Sequence, residues 1–115
     1  MRRWNGWGDA RVDYPLPASA RAFLAQRMGS GEPPRDATFA AALAVVGPSR
    51  LERLPLVADD PEERLRHARG QSLPDWVALR SGRVGRVPDA VAFPPTDEEV
   101  RALLRQAAVA GAHVI

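Results

Sequence analysis

Apolar positions fall in short, punctuated groups along the chain, and most of the groups have helical spacing. Ala20, Phe23, Leu24 and Met28 lie on one helix face between Ala18 and Met28, with Gly29 placed to end it. Asp36 or Thr38 can cap a second helix that carries Phe39, Leu43 and Val46 and closes at Gly47 and Pro48; the spacing predicts that the two helices pair. Ser49 and Glu52 have capping-box spacing for one further turn, which Pro55 limits. Before the first helix, Arg2 to Pro17 mixes Trp4, Trp7 and Tyr14 with glycines and prolines. That mixture predicts an extended arm with large apolar anchors.

Two further helix starts follow. Asp59, Asp60, Glu62 and Glu63 crowd four carboxylates into five residues, a pattern that invites acid/base catalysis or cation binding. Asp60 at N-cap, Pro61 at N1 and Glu63 at N3 account for it more simply as a helix start. Ser72, Pro74 and Asp75 repeat the signature for a helix with Leu73, Trp76 and Leu79 on its apolar side, ending near Gly82.

From Pro88 the pattern changes. Ala90 to Phe93 reads as a short strand, and Thr96 with Glu99 caps a helix whose face holds Val100, Leu103, Leu104, Ala107 and Ala108. Asp97 and Arg101 are spaced to pair beside that face. Gly111 stops the helix, and His113 to Ile115 begins a second strand, predicting a right-handed parallel βαβ crossover. Two such strands do not make a stable sheet alone, so a truncated chain is expected, with a boundary between Gly82 and Pro88. The fold class expected is an α+β fragment: a mostly helical leader over residues 1–87 with an aromatic arm, and the first βαβ unit over 88–115.

Composition narrows the function classes. A 45% hydrophobic fraction without a membrane-length apolar run predicts a soluble protein without a membrane span. Met1 to Asp9 lacks the apolar stretch of a secretory signal, which predicts a cytoplasmic location. There is no cysteine, and His67 and His113 have no metal-ligand spacing, so no metal and no thiol chemistry is expected. All 16 basic residues are arginine, a bias ascribed to genome composition, and the formal net charge is only +2. The most positive window runs from Arg64 to Arg86, with six arginines against Asp75 alone. It lacks the interleaved aromatics of a nucleic-acid face, so no nucleic-acid partner is expected. A non-catalytic helical interaction module anchored by Trp4 and Trp7 is the alternative from another class.

Three segments in order carry a resemblance: RRWNGWGD at Arg2 to Asp9, ERLRHARGQSLPDWVALRSGR at Glu63 to Arg83, and PDAVAFPPTDEEVRALLRQAAVAGAHVI at Pro88 to Ile115. Together they resemble the start of FAD-binding oxidoreductases of the vanillyl-alcohol oxidase type, within which the alkyldihydroxyacetonephosphate synthase-like branch is most similar. The likeness is weakest over Ala18 to Leu56. It implies that residues 88–115 open a PCMH-type FAD-binding domain. A Pro-x-Gly-Gly-Gly-Thr-Ser loop holding the FAD pyrophosphate on its backbone N–H groups would follow Ile115. It also implies a parent enzyme acting on a small oxygenated substrate, as an alkylglycerone-phosphate synthase or as a hydroxy-acid or alcohol oxidase. No catalytic or cofactor-binding residue is then expected within these 115 residues, which should be inactive by themselves. The resemblance does place Arg69 and Gln71 near the cofactor or an anionic substrate group.

Overall fold

The computed structural model describes residues 1–32, 35–52 and 54–115. Among them lie five helices and one two-stranded sheet: α1 (Ala18–Met28), α2 (Phe39–Ala44), β1 (Val57–Ala58), α3 (Pro61–Arg66), α4 (Leu73–Arg80), β2 (Val91–Ala92) and α5 (Asp97–Ala110). The helix starts follow the capping chemistry. Thr38 Oγ1 accepts from the Ala41 N–H, the Asp60 carboxylate from Glu62 and Glu63, and Thr96 Oγ1 from Glu99. At α4 the box is reciprocal: Ser72 Oγ accepts from the Asp75 N–H, and the Asp75 carboxylate accepts from the Ser72 N–H. The turn expected at Ser49 does not become a helix in its described residues; Ser49 Oγ takes the Leu51 N–H instead, and Arg53 lies outside the described residues.

The core is small. Ala42, Leu65, Trp76, Leu79 and Val84 are buried together, and Trp4, Phe39, Leu43, Val46, Ala68 and Val87 pack around them. α2 lies against α3 rather than forming the expected pair with α1, and no α1 side chain joins the core cluster that α2, α3 and α4 build. No residue of α1 is buried.

Two expectations are corrected. The amino-terminal arm is not extended: Arg2 and Asp9 form an antiparallel bridge, and Arg3 and Ala10 donate their N–H groups to the carbonyls of Gly8 and Met1. Asp9 closes this hairpin by accepting from the N-terminal ammonium and from Arg11. The folded arm turns Trp4 edge-on to Phe39, centroids 5.7 Å apart, and Trp7 edge-on to Trp76 at 6.1 Å. These edge-on aromatic contacts, with Trp4 packed against the core and Trp7 still 61% exposed, accompany the folding back of a Gly/Pro-rich segment.

The βαβ unit is the second correction. β2 pairs antiparallel with β1, Val57 opposite Ala92 and Ala58 opposite Val91, and residues 113–115 form no strand. A strand needs a neighbour to satisfy its backbone groups, and the neighbour offered here precedes α3 in sequence. Nor does Asp97 pair with Arg101, whose guanidinium lies 3.7 Å from Glu98 instead. The molecule is elongated, 57 × 27 × 24 Å, with a radius of gyration of 18.4 Å. A compact chain of this length would have roughly 13 Å.

Candidate functional site

The basic window from Arg64 to Arg86 folds as α3, α4 and the loop Ser81–Val87, and most of its charge is committed to holding that loop and its surroundings. Arg64 is 4% exposed, the one buried charged residue among the described residues. Its Nε donates to the Pro88 carbonyl at 2.7 Å and its Nη1 to that of Gly47 at 2.9 Å, tying α3 to the ends of two distant segments. Arg66 pairs with Glu62 at 2.7 Å and lies over the Phe39 ring. Arg80 makes a two-pronged pair with Asp36, at 2.9 and 2.6 Å. The carboxylate holds the Arg80 guanidinium above its ordinary pKa.

Arg69 faces inward. Its Nε donates to the carbonyls of Val84 at 2.9 Å and Arg83 at 3.2 Å, while its Nη1 stands 3.6 Å from the Asp75 carboxylate. Asp75 is thereby shared between the helix cap and Arg69. Its pKa is lowered first by the Ser72 hydroxyl and further by Arg69. Gly85 completes the arrangement: its φ is +77°, and a Cβ there would lie 2.8 Å from Arg69 Nη2. Gly82, at φ +72°, makes the preceding turn beneath Ala37.

Arg69 and Gln71, singled out from the sequence, are therefore not brought together. Arg69 is a strut under the loop, and Gln71 is exposed on the turn before α4. Of the six arginines in the window, Arg83 and Arg86 have no side-chain hydrogen-bond or ion-pair partner among the described residues, and both are exposed. Sequence reasoning counted them in the window without distinguishing them. The G-R-V-G pattern around Arg83 was the available signal.

Two shallow clefts adjoin this region. One, of about 240 Å³, lies between the amino-terminal hairpin and α4 and is lined by Arg3, Trp7, Leu73, Trp76, Val77 and Arg80, among others. The other, of about 400 Å³, lies beside β1 and includes Ser49, Leu54, Pro55, Val57 and Asp59. Among the described residues there is no group of three or more His, Asp or Glu side chains able to hold a metal, and no helix long and apolar enough to cross a membrane. Both tryptophans proposed as anchors for an outside partner make edge-on contacts within the chain, with Trp7 still 61% exposed, and no observation supports the interaction-module alternative.

No protein-family profile matches the chain. Its fold, however, is that of a portion of a larger enzyme: two solved structures superpose on it with a TM-score of 0.61 and 25% identity, over 92% of this chain and 26% and 25% of theirs. Both are alkyldihydroxyacetonephosphate synthase. In sequence the chain is 27% identical over 142 residues to the alkyldihydroxyacetonephosphate synthase of Dictyostelium discoideum, a match taking in 91% of this chain and 23% of that protein. Curated and structural neighbours thus point to the same synthase, and the chain spans about a quarter of the length of the relatives it matches.

Proposed function

We propose that this chain is the leader and first segment of an FAD-dependent oxidoreductase of the alkylglycerone-phosphate synthase type. In this reading residues 1–87 are a helical leader and residues 88–115 open the FAD-binding domain. The observation that carries it is the agreement of sequence and fold on one enzyme across more than nine-tenths of the chain, but only about a quarter of that enzyme. β2 and α5 would then be the first strand and helix of the flavin domain. Residues 113–115 would gain their strand only when a neighbouring strand of that domain lies beside them.

FAD would accept a hydride equivalent from an oxygenated organic substrate or mediate redox-neutral chemistry on it, and the protein would supply positioning and electrostatics. The 115 residues hold no Gly-Gly-Gly run, so none of them is assigned to the pyrophosphate. Arg69 enters the proposal as a positioning residue, acting through the loop it supports. Gln71 stays on the exposed turn beside it, available to an anionic group of substrate or cofactor. The chain alone is expected to be inactive.

Flavin content tests the reading. The protein carrying these residues within its full-length sequence should purify with visible flavin absorbance, and the 115-residue chain should retain none on gel filtration with FAD. A folded, colourless full-length protein would sink the assignment.

A further inference from the structure

The segment that begins at Pro88 is gripped by one stretch of the leader. Arg64 Nε donates to the Pro88 carbonyl at 2.7 Å. The Asp89 carboxylate accepts from the Arg50 N–H at 3.0 Å and from its guanidinium at 2.9 and 2.6 Å. Val91 and Ala92 pair with Ala58 and Val57, and the Phe93 ring stands edge-on to His67, centroids 5.7 Å apart. From Pro88 to Phe93, every residue but Ala90 is thus held by a residue between Arg50 and His67. A boundary between independent domains shows the reverse, an exposed linker that few contacts cross.

The pairing has the character of a sheet edge. A strand has two hydrogen-bonding edges, and β1 occupies one edge of β2. β1 itself is two residues long and is flanked by Pro55 and Pro61, neither of which has an N–H to offer a further strand. Very short, proline-flanked strands end sheets rather than extend them. The sheet can then grow only from the other edge of β2. Its register is fixed by Arg64, which is buried and bonds the carbonyls of both Gly47 and Pro88. A slip of either segment would leave that buried guanidinium without its acceptors.

We propose that β1 is the edge strand of the flavin domain's own sheet, lent by the leader, and that Arg64 and Asp89 are positioning residues that fix β2 for the strands beyond it. That β2 belongs to a flavin domain rests on the proposed function; the clamp itself stands on contacts within the chain. The unit on which flavin binding depends therefore reaches back to Gly47, and the leader is part of it.

The test uses the full-length protein and compares two ion pairs of like geometry. Arg50–Asp89 crosses the boundary, Arg80–Asp36 lies within the leader, and each closes at 2.6 Å. Apoprotein titrated with FAD and followed by flavin fluorescence gives the dissociation constant, and urea midpoints of the same proteins give stability. Asp89→Asn and Arg50→Gln should each weaken FAD binding about fivefold, and R50Q/D89N by no more than the larger single change, since the two act as one pair. Asp36→Asn should change FAD binding less than about twofold while lowering the urea midpoint as much as Asp89→Asn does. A role in general stability alone would instead move FAD affinity alike in the Asp36 and Asp89 variants. That result, or an unchanged FAD affinity in Asp89→Asn, overturns the inference and leaves the oxidoreductase reading intact. A colourless full-length protein defeats the oxidoreductase reading and takes the flavin role of the clamp with it.

Discussion

The centre of the molecule and its two outlying helices all carry helical spacing in the sequence and have opposite fates. α3 and α4 are short, six and eight residues, yet they bury Arg64, Leu65, Trp76 and Leu79. α1 and α5 are longer, 11 and 14 residues. α1 buries nothing and α5 only Ala107. In α5 the apolar stripe is well formed in sequence, but Val100 and Leu104 remain 40% and 50% exposed. Helix formation is thus set by capping and composition, while burial is set by whether the rest of the chain supplies a facing surface. On the proposed function, the surface that α5 lacks belongs to the remainder of the flavin domain.

The largest effects should come from substitutions that separate these regions. Trp76→Ala removes a buried indole that packs against Trp7 and the core cluster, and should cost about 3–5 kcal/mol. Arg64→Ala strips the carbonyls of Gly47 and Pro88 of their buried donor and should cost about 3 kcal/mol. Leu104→Ala, on the exposed stripe of α5, should change stability by less than about 0.5 kcal/mol. Urea denaturation of the three variants measures the contrast. A Leu104 variant as damaged as the Trp76 variant would erase the distinction between centre and periphery.

Legibility follows the same division. Helix starts at Thr38, Asp60, Ser72 and Thr96 were readable because each capping side chain acts within three residues of itself. The antiparallel partner of Val91–Ala92 was not, since Val57 and Ala58 sit in a two-residue strand with no alternating pattern to announce it. The hairpin of the first twelve residues depends on Asp9 meeting Arg2, Arg11 and the N-terminus, contacts that Gly/Pro content conceals. At the candidate site, charge counting found the basic window but could not tell the inward arginines from the outward ones. That sorting is made by the backbone turns at Gly82 and Gly85.

Between the large and small effects stands a strained residue. Leu56 has φ +68°, in the left-handed region, at the turn leading into β1. Such a conformation costs an L-residue about 1–2 kcal/mol, and glycine's extra freedom in the unfolded chain returns less than that. Leu56 is 39% exposed, so the packing lost with its partly buried side chain is of the same order as the strain relieved. Leu56→Gly should therefore leave stability, read from the urea midpoint, within about 0.5 kcal/mol of the parent protein. A destabilised variant would show that the Leu56 side chain packs more tightly than its exposure indicates.

Acid should weaken the centre through its paired carboxylates. Asp9 is held well below the usual carboxylate range by Arg11 and then by the N-terminal ammonium, Asp89 is lowered by Arg50, and Asp75 by the Ser72 hydroxyl before Arg69. A depressed folded pKa contributes stability that is present above the unfolded value, about 3.9, and is lost as pH falls through the folded one. Stability should be flat near neutrality and decline from about pH 4 downward. The exposed partners keep the decline modest. Asp89→Asn should make the acid limb shallower, and an unchanged limb would remove Arg50–Asp89 from the account.

The smallest effect expected is also the one that bears most directly on α1. Phe23 and Met28 are 56% and 81% exposed, and the Arg27 guanidinium of the same helix lies over the Phe23 ring. An 11-residue helix with no buried residue is marginal in water, because nucleation is costly and little burial offsets it. Phe23→Ser should shift global stability by less than about 0.5 kcal/mol, and the α1 amides should exchange far faster than those of α3 and α4, since their opening exposes no buried surface. Slow exchange across Ala22 to Arg27 would mean that α1 packs against something in solution, and the division between a packed centre and unpartnered outer helices would then hold for α5 alone.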